Sequence, residues 1–249
     1  MSNNRNFFPI KDKLSNYHEE KSNLLQKLNI TKKYIIIQIK TISQNGTLKT
    51  YNLNLLIKSI KYFQDKGYQI VFAGREEFPD DFLNKSIIDY ANSKYASSLN
   101  DLLIIEGCSF VISSGSGFSE IPYSLNKPLL IINVHHISQY FGYRTILLPT
   151  LLSRKSKKFN AKFQHLYLCT YGPTCGYDKF DDFYIHHMPT SEEVFMAAKE
   201  IEGMISDNII PLTTLQKKIY DNGSFQLLSH GFSRISDFFL TKHSYFFEK

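Results

Sequence analysis

The residues with the clearest chemical potential lie between Cys108 and Asn133. Ser113-Ser114-Gly115-Ser116-Gly117 brings hydroxyls and unhindered backbone N–H groups into one short loop. Such a loop, at the carboxyl end of a strand and just before a helix, is suited to holding a diphosphate or sugar hydroxyls. The same residues also suit a tight strand-to-helix turn that needs glycines and caps its helix with serine. No GK[ST] ending follows, so the loop is not a P-loop. Glu120, in the first turn of the helix that follows, either accepts hydrogen bonds from a ribose or sugar or simply favours the helix dipole. Two cations are placed to reach the same edge. Lys40 follows the first strand, and Arg75 follows the second in Gly74-Arg75-Glu76. For each, an ordinary solvated side chain is the simpler reading.

Other candidates carry less. His135-His136 and His186-His187 are adjacent pairs, and neighbours on a strand alternate faces, so neither pair suits one metal ion. Cys169 and Cys175 read as structural, and no metal site is expected. From Tyr140 to Phe163, Arg144, Arg154, Lys155, Lys157, Lys158 and Lys162 mix with Tyr140, Phe141, Tyr143 and Phe159. That mixture admits nucleic acid, acidic lipid or an anionic saccharide. No nucleic-acid motif accompanies it, and a solvated loop is the simpler reading.

The elements that must position these residues alternate along the chain. Tyr17, Leu24, Leu25 and Leu28 predict an amphipathic helix from Ser15 to Leu28, with Ser15 as its cap. Tyr34 to Ile39 is short, apolar and β-branched, the pattern of a buried parallel strand. Asn45-Gly46 marks a turn. Leu55, Leu56, Ile60 and Phe63 predict a helix over 52–66 that Gly67 ends, and Tyr68 to Gly74 is a second strand. Ile87 to Tyr90, a helix from Ser98 to Glu106 and a strand from Cys108 to Ile112 follow. After the Ser/Gly loop come a helix from Phe118 to Leu125 and a strand from Leu129 to Val134. Thr190 to Ser206 is a capped helix with Glu192-Glu193 in its first turn. These elements predict an α/β chain with a doubly wound, Rossmann-like, mostly parallel sheet and helices on both faces. The expected domains are an N-terminal extension with a helix over 1–30, the Rossmann-like domain over 31–206, and an aromatic-rich tail over 207–249 packed on it.

The 249 residues can bury a substantial core, and the formal charge of +6 fits anionic partners without identifying one. Cys108, Cys169 and Cys175 form no CxxC pair, which suits a reducing compartment. The first residues lack a signal-peptide core, and no run approaches about 18 apolar residues. A cytoplasmic protein is expected, with a peripheral position on the inner membrane face open to it.

Lys66-Gly67-Tyr68, Ile88-Asp89-Tyr90-Ala91, Asp101, the Ser113 to Gly117 loop and Lys127-Pro128 occur in an order that resembles a family of bacterial surface-carbohydrate glycosyltransferases. The similarity runs, more weakly, from Asn29 to Gly172. It implies one half of a GT-B fold, binding a nucleoside diphosphate sugar as donor substrate, with no cofactor or metal, for transfer to a saccharide or glycolipid acceptor. Lys40, Gly74, Arg75, the loop from Ser113 to Gly117 and Glu120 are the substrate-binding residues expected on this reading. Where such proteins look like "HxRD" at the end of the first strand, this chain has Gln38-Ile39-Lys40, and lysine lacks the bidentate fork of arginine. Only about thirty residues precede the first strand, so an acceptor domain is expected from a separate subunit or a second copy. The alternative is a non-catalytic nucleotide- or sugar-binding module.

Overall fold

The computed structural model describes residues 9–40, 51–74, 87–134, 142–154, 167–168, 184–206, 210–221 and 233–246. The chain begins with α1 (Pro9–Leu14), a 3-10 turn (Ser15–Tyr17) and α2 (His18–Lys27). The helix expected from Ser15 to Leu28 therefore starts at His18, behind a 3-10 turn. Ser15 does not cap it, because its hydroxyl donates to the Asp12 carbonyl at 2.6 Å. The segment still packs on the body: Leu14, Leu24 and Leu28 are buried in the core.

β1 (Tyr34–Gln38) is buried at every position, as a strand flanked on both sides must be. A 3-10 turn (Leu53–Leu56) leads into α3 (Ile57–Asp65), whose Ile60 and Phe63 face the core. Gly67, at φ +82°, supplies the left-handed residue that ends the helix. Next come β2 (Gln69–Phe72), β3 (Ile87–Asp89) and α4 (Ser98–Gly107). The Ser97 hydroxyl caps α4 by accepting the Asn100 N–H at 3.2 Å. Then follow β4 (Val111–Ser113), a 3-10 turn (Gly117–Ser119), α5 (Glu120–Ser124) and β5 (Leu129–Val134).

The described part of the basic stretch is not the loop expected. It holds β6 (Thr145–Pro149) and β7 (Leu151–Arg154). β7 pairs antiparallel with β8 (Tyr167–Leu168) and β9 (Tyr184–His187) in a small second sheet. α6 (Ser191–Glu202) starts with a capping box in which Thr190 and Glu193 satisfy each other's backbone N–H groups. α7 (Thr214–Asp221), β10 (Arg234–Ile235) and α8 (Asp237–Lys242) follow.

Among the described residues, the main sheet has seven strands in the order β10-β6-β5-β4-β1-β2-β3, and every pairing in it is parallel. β1 to β6 follow the doubly wound order 3-2-1-4-5-6. The segment after residue 206 supplies the seventh strand. α3, α6 and α8 pack along one side, where α3 meets α6 and α6 meets α8, while α4 packs against α2 and α5. The β1–α3–β2 crossover runs one way along the sheet and the β3–α4–β4 crossover runs back. Right-handed crossovers therefore put α3 and α4 on opposite faces. An edge-to-face cluster of Phe63, Tyr68 and Phe110 fills the space under α3, with the Phe63 and Phe110 centroids 5.0 Å apart.

Candidate functional site

The strand order reverses between β1 and β4, so the loops leaving these two neighbours diverge and open a crevice at the carboxyl edge. In their register, Gln38 lies beside Ser113. The ladder continues past the strands, since the Ser114 N–H donates to the Gln38 carbonyl at 3.1 Å. The Ser114 hydroxyl then takes the place of a carbonyl and accepts the Lys40 N–H at 2.9 Å. Gly115, at φ +70°, turns the chain through the left-handed region into the 3-10 turn.

The remaining serines bond one another and Gln38. The Ser113 hydroxyl donates to Gln38 Oε1 at 2.8 Å and lies 2.8 Å from the Ser119 hydroxyl. The Ser116 hydroxyl donates to the same Gln38 oxygen at 3.0 Å and accepts the Phe118 N–H at 3.2 Å. Ser113, Ser114 and Ser119 are buried. The loop is thus a closed polar network whose hydroxyls fix its own shape.

Next to it is a cavity of about 640 Å³, within the size range of small-molecule sites. Gln38, Lys40 and Ala73 form its floor at the ends of β1 and β2. Tyr90 and Ala91, Ser97, Ser98 and Asp101 at the start of α4, and Gly117, Phe118 and Ile121 close its sides. Tyr90 is buried, and its hydroxyl donates to Asp101 Oδ1 at 2.7 Å. Burial first, and that bond second, push the Tyr90 hydroxyl pKa well above the ordinary phenol value. Tyr90 therefore stays a neutral donor that holds one oxygen of the Asp101 carboxylate. Asp89 does not face the cavity; its carboxylate accepts the backbone and side-chain N–H groups of Asn92 at 3.2 and 2.9 Å.

Of the residues expected to bind substrate, Lys40 and Gly117 line the cavity. Ser113, Ser114, Gly115 and Ser116 stand behind its wall as supports. Gly74 has a packing reason to be glycine, because a Cβ there would lie 2.6 Å from Phe72 Cζ and 3.0 Å from the Ile39 carbonyl oxygen. Glu120 is exposed at the start of α5, away from the cavity lining. Arg75, His135, His136, Cys169 and Cys175 lie outside the described residues. Gln38, Tyr90, Asp101 and Ser97 complete the site without having been named as binding residues. The sequence held one signal for Gln38: a lone amide at the end of an otherwise apolar central strand is a buried polar group that needs a reason.

Among the described residues, no cluster of three or more His, Cys, Asp or Glu side chains could hold a metal ion. Among the same residues, no helix is long and apolar enough to cross a membrane. Cys108 is buried, and burial pushes its thiol pKa up to about 12, so the thiolate that nucleophilic or metal chemistry needs does not form at neutral pH.

No family model and no curated protein matches the chain. Solved structures do. A family 9 glycosyl transferase from Veillonella parvula matches at 15% identity and a TM-score of 0.45, over 75% of this chain and 51% of that one. The ADP-heptose LPS heptosyltransferase II of E. coli matches at 16% identity and a TM-score of 0.41, over 74% of this chain and 51% of that one. The wall teichoic acid polymerase TagF, as its H444N variant, matches at 13% identity and a TM-score of 0.38, over 88% of this chain and 50% of that one. The chain spans about half the length of each. The doubly wound class rests on the strand order and register of the chain itself.

Proposed function

We propose that the cavity binds a nucleoside diphosphate sugar and that the protein takes part in transferring the sugar to a saccharide or glycolipid acceptor in surface-polysaccharide synthesis. The observation that carries this reading is the position of the cavity. It lies at the carboxyl edge of a doubly wound sheet, at the β1/β4 reversal, where nucleotides are held in such folds. Lys40 supplies positive charge on one wall, and Asp101 supplies an acceptor for hydroxyls on another. In transfer, Lys40 would offset the negative charge that grows on the leaving diphosphate as the acceptor hydroxyl attacks the anomeric carbon. The acceptor would approach the donor at this carboxyl edge, with the protein working at the inner face of the membrane.

The test is a thermal-shift panel of nucleoside diphosphates and their sugars, because a ligand specific to the native state raises the midpoint by mass action. At least one nucleotide should shift the wild type. A Cβ on Gly117 would meet nothing within 4 Å, so Gly117→Val together with Ser116→Ala should fold and lose the shift by filling cavity space. A panel with no shift, or a shift that survives both changes, removes the reading.

One observation favours a non-catalytic binding module. Asp101 is the only carboxylate among the described lining residues, no histidine is among them, and Tyr90 already engages Asp101. Turnover of the bound nucleotide sugar with a saccharide acceptor decides between the two, since binding without transfer or hydrolysis selects the module.

A further inference from the structure

We infer that Gln38 is a ligand-binding residue, and that the two N–H bonds of its side-chain amide hold an oxygen of an anionic phosphoryl group. This deepens the nucleotide-sugar reading and rests on it for the identity of the rest of the ligand.

The inference follows from the direction of the hydrogens in the serine network. The Ser119 hydroxyl oxygen accepts the Ser116 N–H at 3.2 Å and lies 2.8 Å from the Ser113 oxygen, to which it can send its own hydrogen. Ser113 in turn sends its hydrogen to Gln38 Oε1. Ser116 accepts the Phe118 N–H and sends its hydrogen to the same Oε1. Two hydroxyl hydrogens converge on one end of the Gln38 amide, so that end is its oxygen. The other end is an NH₂ group with no acceptor among the described residues. Gln38 is 7% exposed and lines the cavity, and its amide nitrogen is not among the buried unpartnered atoms, so the donor end opens onto the cavity, where a ligand can accept from it.

The neighbour of that NH₂ group decides what it takes. Lys40, two residues on, lines the same cavity and is also a donor without acceptor capacity. Two donor-only groups on one wall suit an oxyanion. A hydroxyl, which must also donate, is better served across the cavity, where Asp101 offers a carboxylate oxygen. The amide adds direction without charge. It therefore complements Lys40, which neutralises phosphate as a point charge without the planar fork of an arginine.

The experiment is calorimetric titration of the full chain with inorganic pyrophosphate and with ADP, UDP, GDP and CDP, on the wild type and on Gln38→Glu. The glutamate keeps an oxygen for Ser113 and Ser116 and replaces the amide donors with an acceptor. We expect an unchanged melting midpoint and a loss of affinity of about tenfold or more for pyrophosphate and for whichever nucleotide binds. A purely structural Gln38 predicts the opposite, and a folded Gln38→Glu that binds like the wild type overturns the inference. If Gln38→Glu melts early, Gln38→Met decides on pyrophosphate: a tenfold loss supports the inference and wild-type affinity overturns it. A wild type that binds pyrophosphate but no nucleotide removes the nucleotide-sugar reading and leaves the variants to judge Gln38 on pyrophosphate. A wild type that binds neither removes both.

Discussion

Replacing Glu193 with glutamine should make the protein's stability at neutral pH resemble its stability in acid. Glu193 lies in the first turn of α6, 3% exposed, and its carboxylate meets four partners. Burial alone would raise its pKa. The His243 ring at 2.7 Å, the Thr190 N–H at 2.6 Å and hydroxyl at 2.7 Å, and the Lys242 ammonium at 3.0 Å outweigh burial and hold it down to about 2. A carboxylate held there against an ordinary 4.5 contributes about 3 kcal/mol. Because the folded-state value is the lower one, the contribution is complete above the unfolded-state value. It fades as pH falls from about 4.5 through about 2. Urea unfolding of the wild type and Glu193→Gln at a series of pH values measures it. The two should differ by about 3 kcal/mol at pH 7, a midpoint difference of roughly 6–12 °C for a chain of this size, and should converge near pH 2. A difference that stays constant from pH 7 to pH 2 would refute the reasoning, because the loss would then come from packing or capping rather than from the charge.

Three further outcomes follow from local geometry. Gly74→Ala forces a Cβ against the Phe72 ring and the Ile39 carbonyl and should cost about 1–3 kcal/mol, read as a lower denaturation midpoint. Tyr90→Phe removes the donor to Asp101 and should cost about 1–2 kcal/mol in urea unfolding, without changing the far-ultraviolet spectrum. Cys108, buried and with its thiol pushed up to about 12, should stay unmodified by iodoacetamide in the native protein at pH 8 and react once unfolded; peptide mapping of native and denatured samples checks this.

The central strands were legible because each is a short β-branched run with no polar interruption, as Tyr34 to Ile37 and Leu129 to Ile132 show. β6 and β7 were hidden by their setting. Their apolar residues, Ile146 to Leu148 and Leu151-Leu152, are split by Pro149-Thr150 and flanked by Arg144 and Arg154, so charge masked the run. β10 has only two residues, and what makes it a strand is distant: Arg234 pairs with Ile146, and its guanidinium donates to the Ile210 carbonyl at 2.8 Å. The Ser/Gly loop was visible as a strand-to-helix turn. That its hydroxyls bond one another was not, because their common acceptor, Gln38, is 75 residues from Ser113 in the chain. The cavity itself depends on strand order, a non-local property that no single stretch of sequence carries.

That internal bonding shifts the burden of binding within the site. A ligand that drew on the Ser113 or Ser116 hydroxyl would first have to break a bond to Gln38, and for Ser113 the freed group is fully buried. Leaving a buried polar group unpaired costs about 1–3 kcal/mol, while a typical hydrogen bond returns about 1. Recruiting these serines is therefore unfavourable unless the whole loop rearranges. The groups that can meet a ligand without such a loss are those the network leaves over: the Gln38 amide and Lys40 on the β1 exit, and the second oxygen of Asp101. The loop would act on a ligand through β1, by fixing which end of Gln38 faces the cavity. Residues after the first strand, rather than the serine loop that stands out in the sequence, are therefore where changes of ligand preference should concentrate.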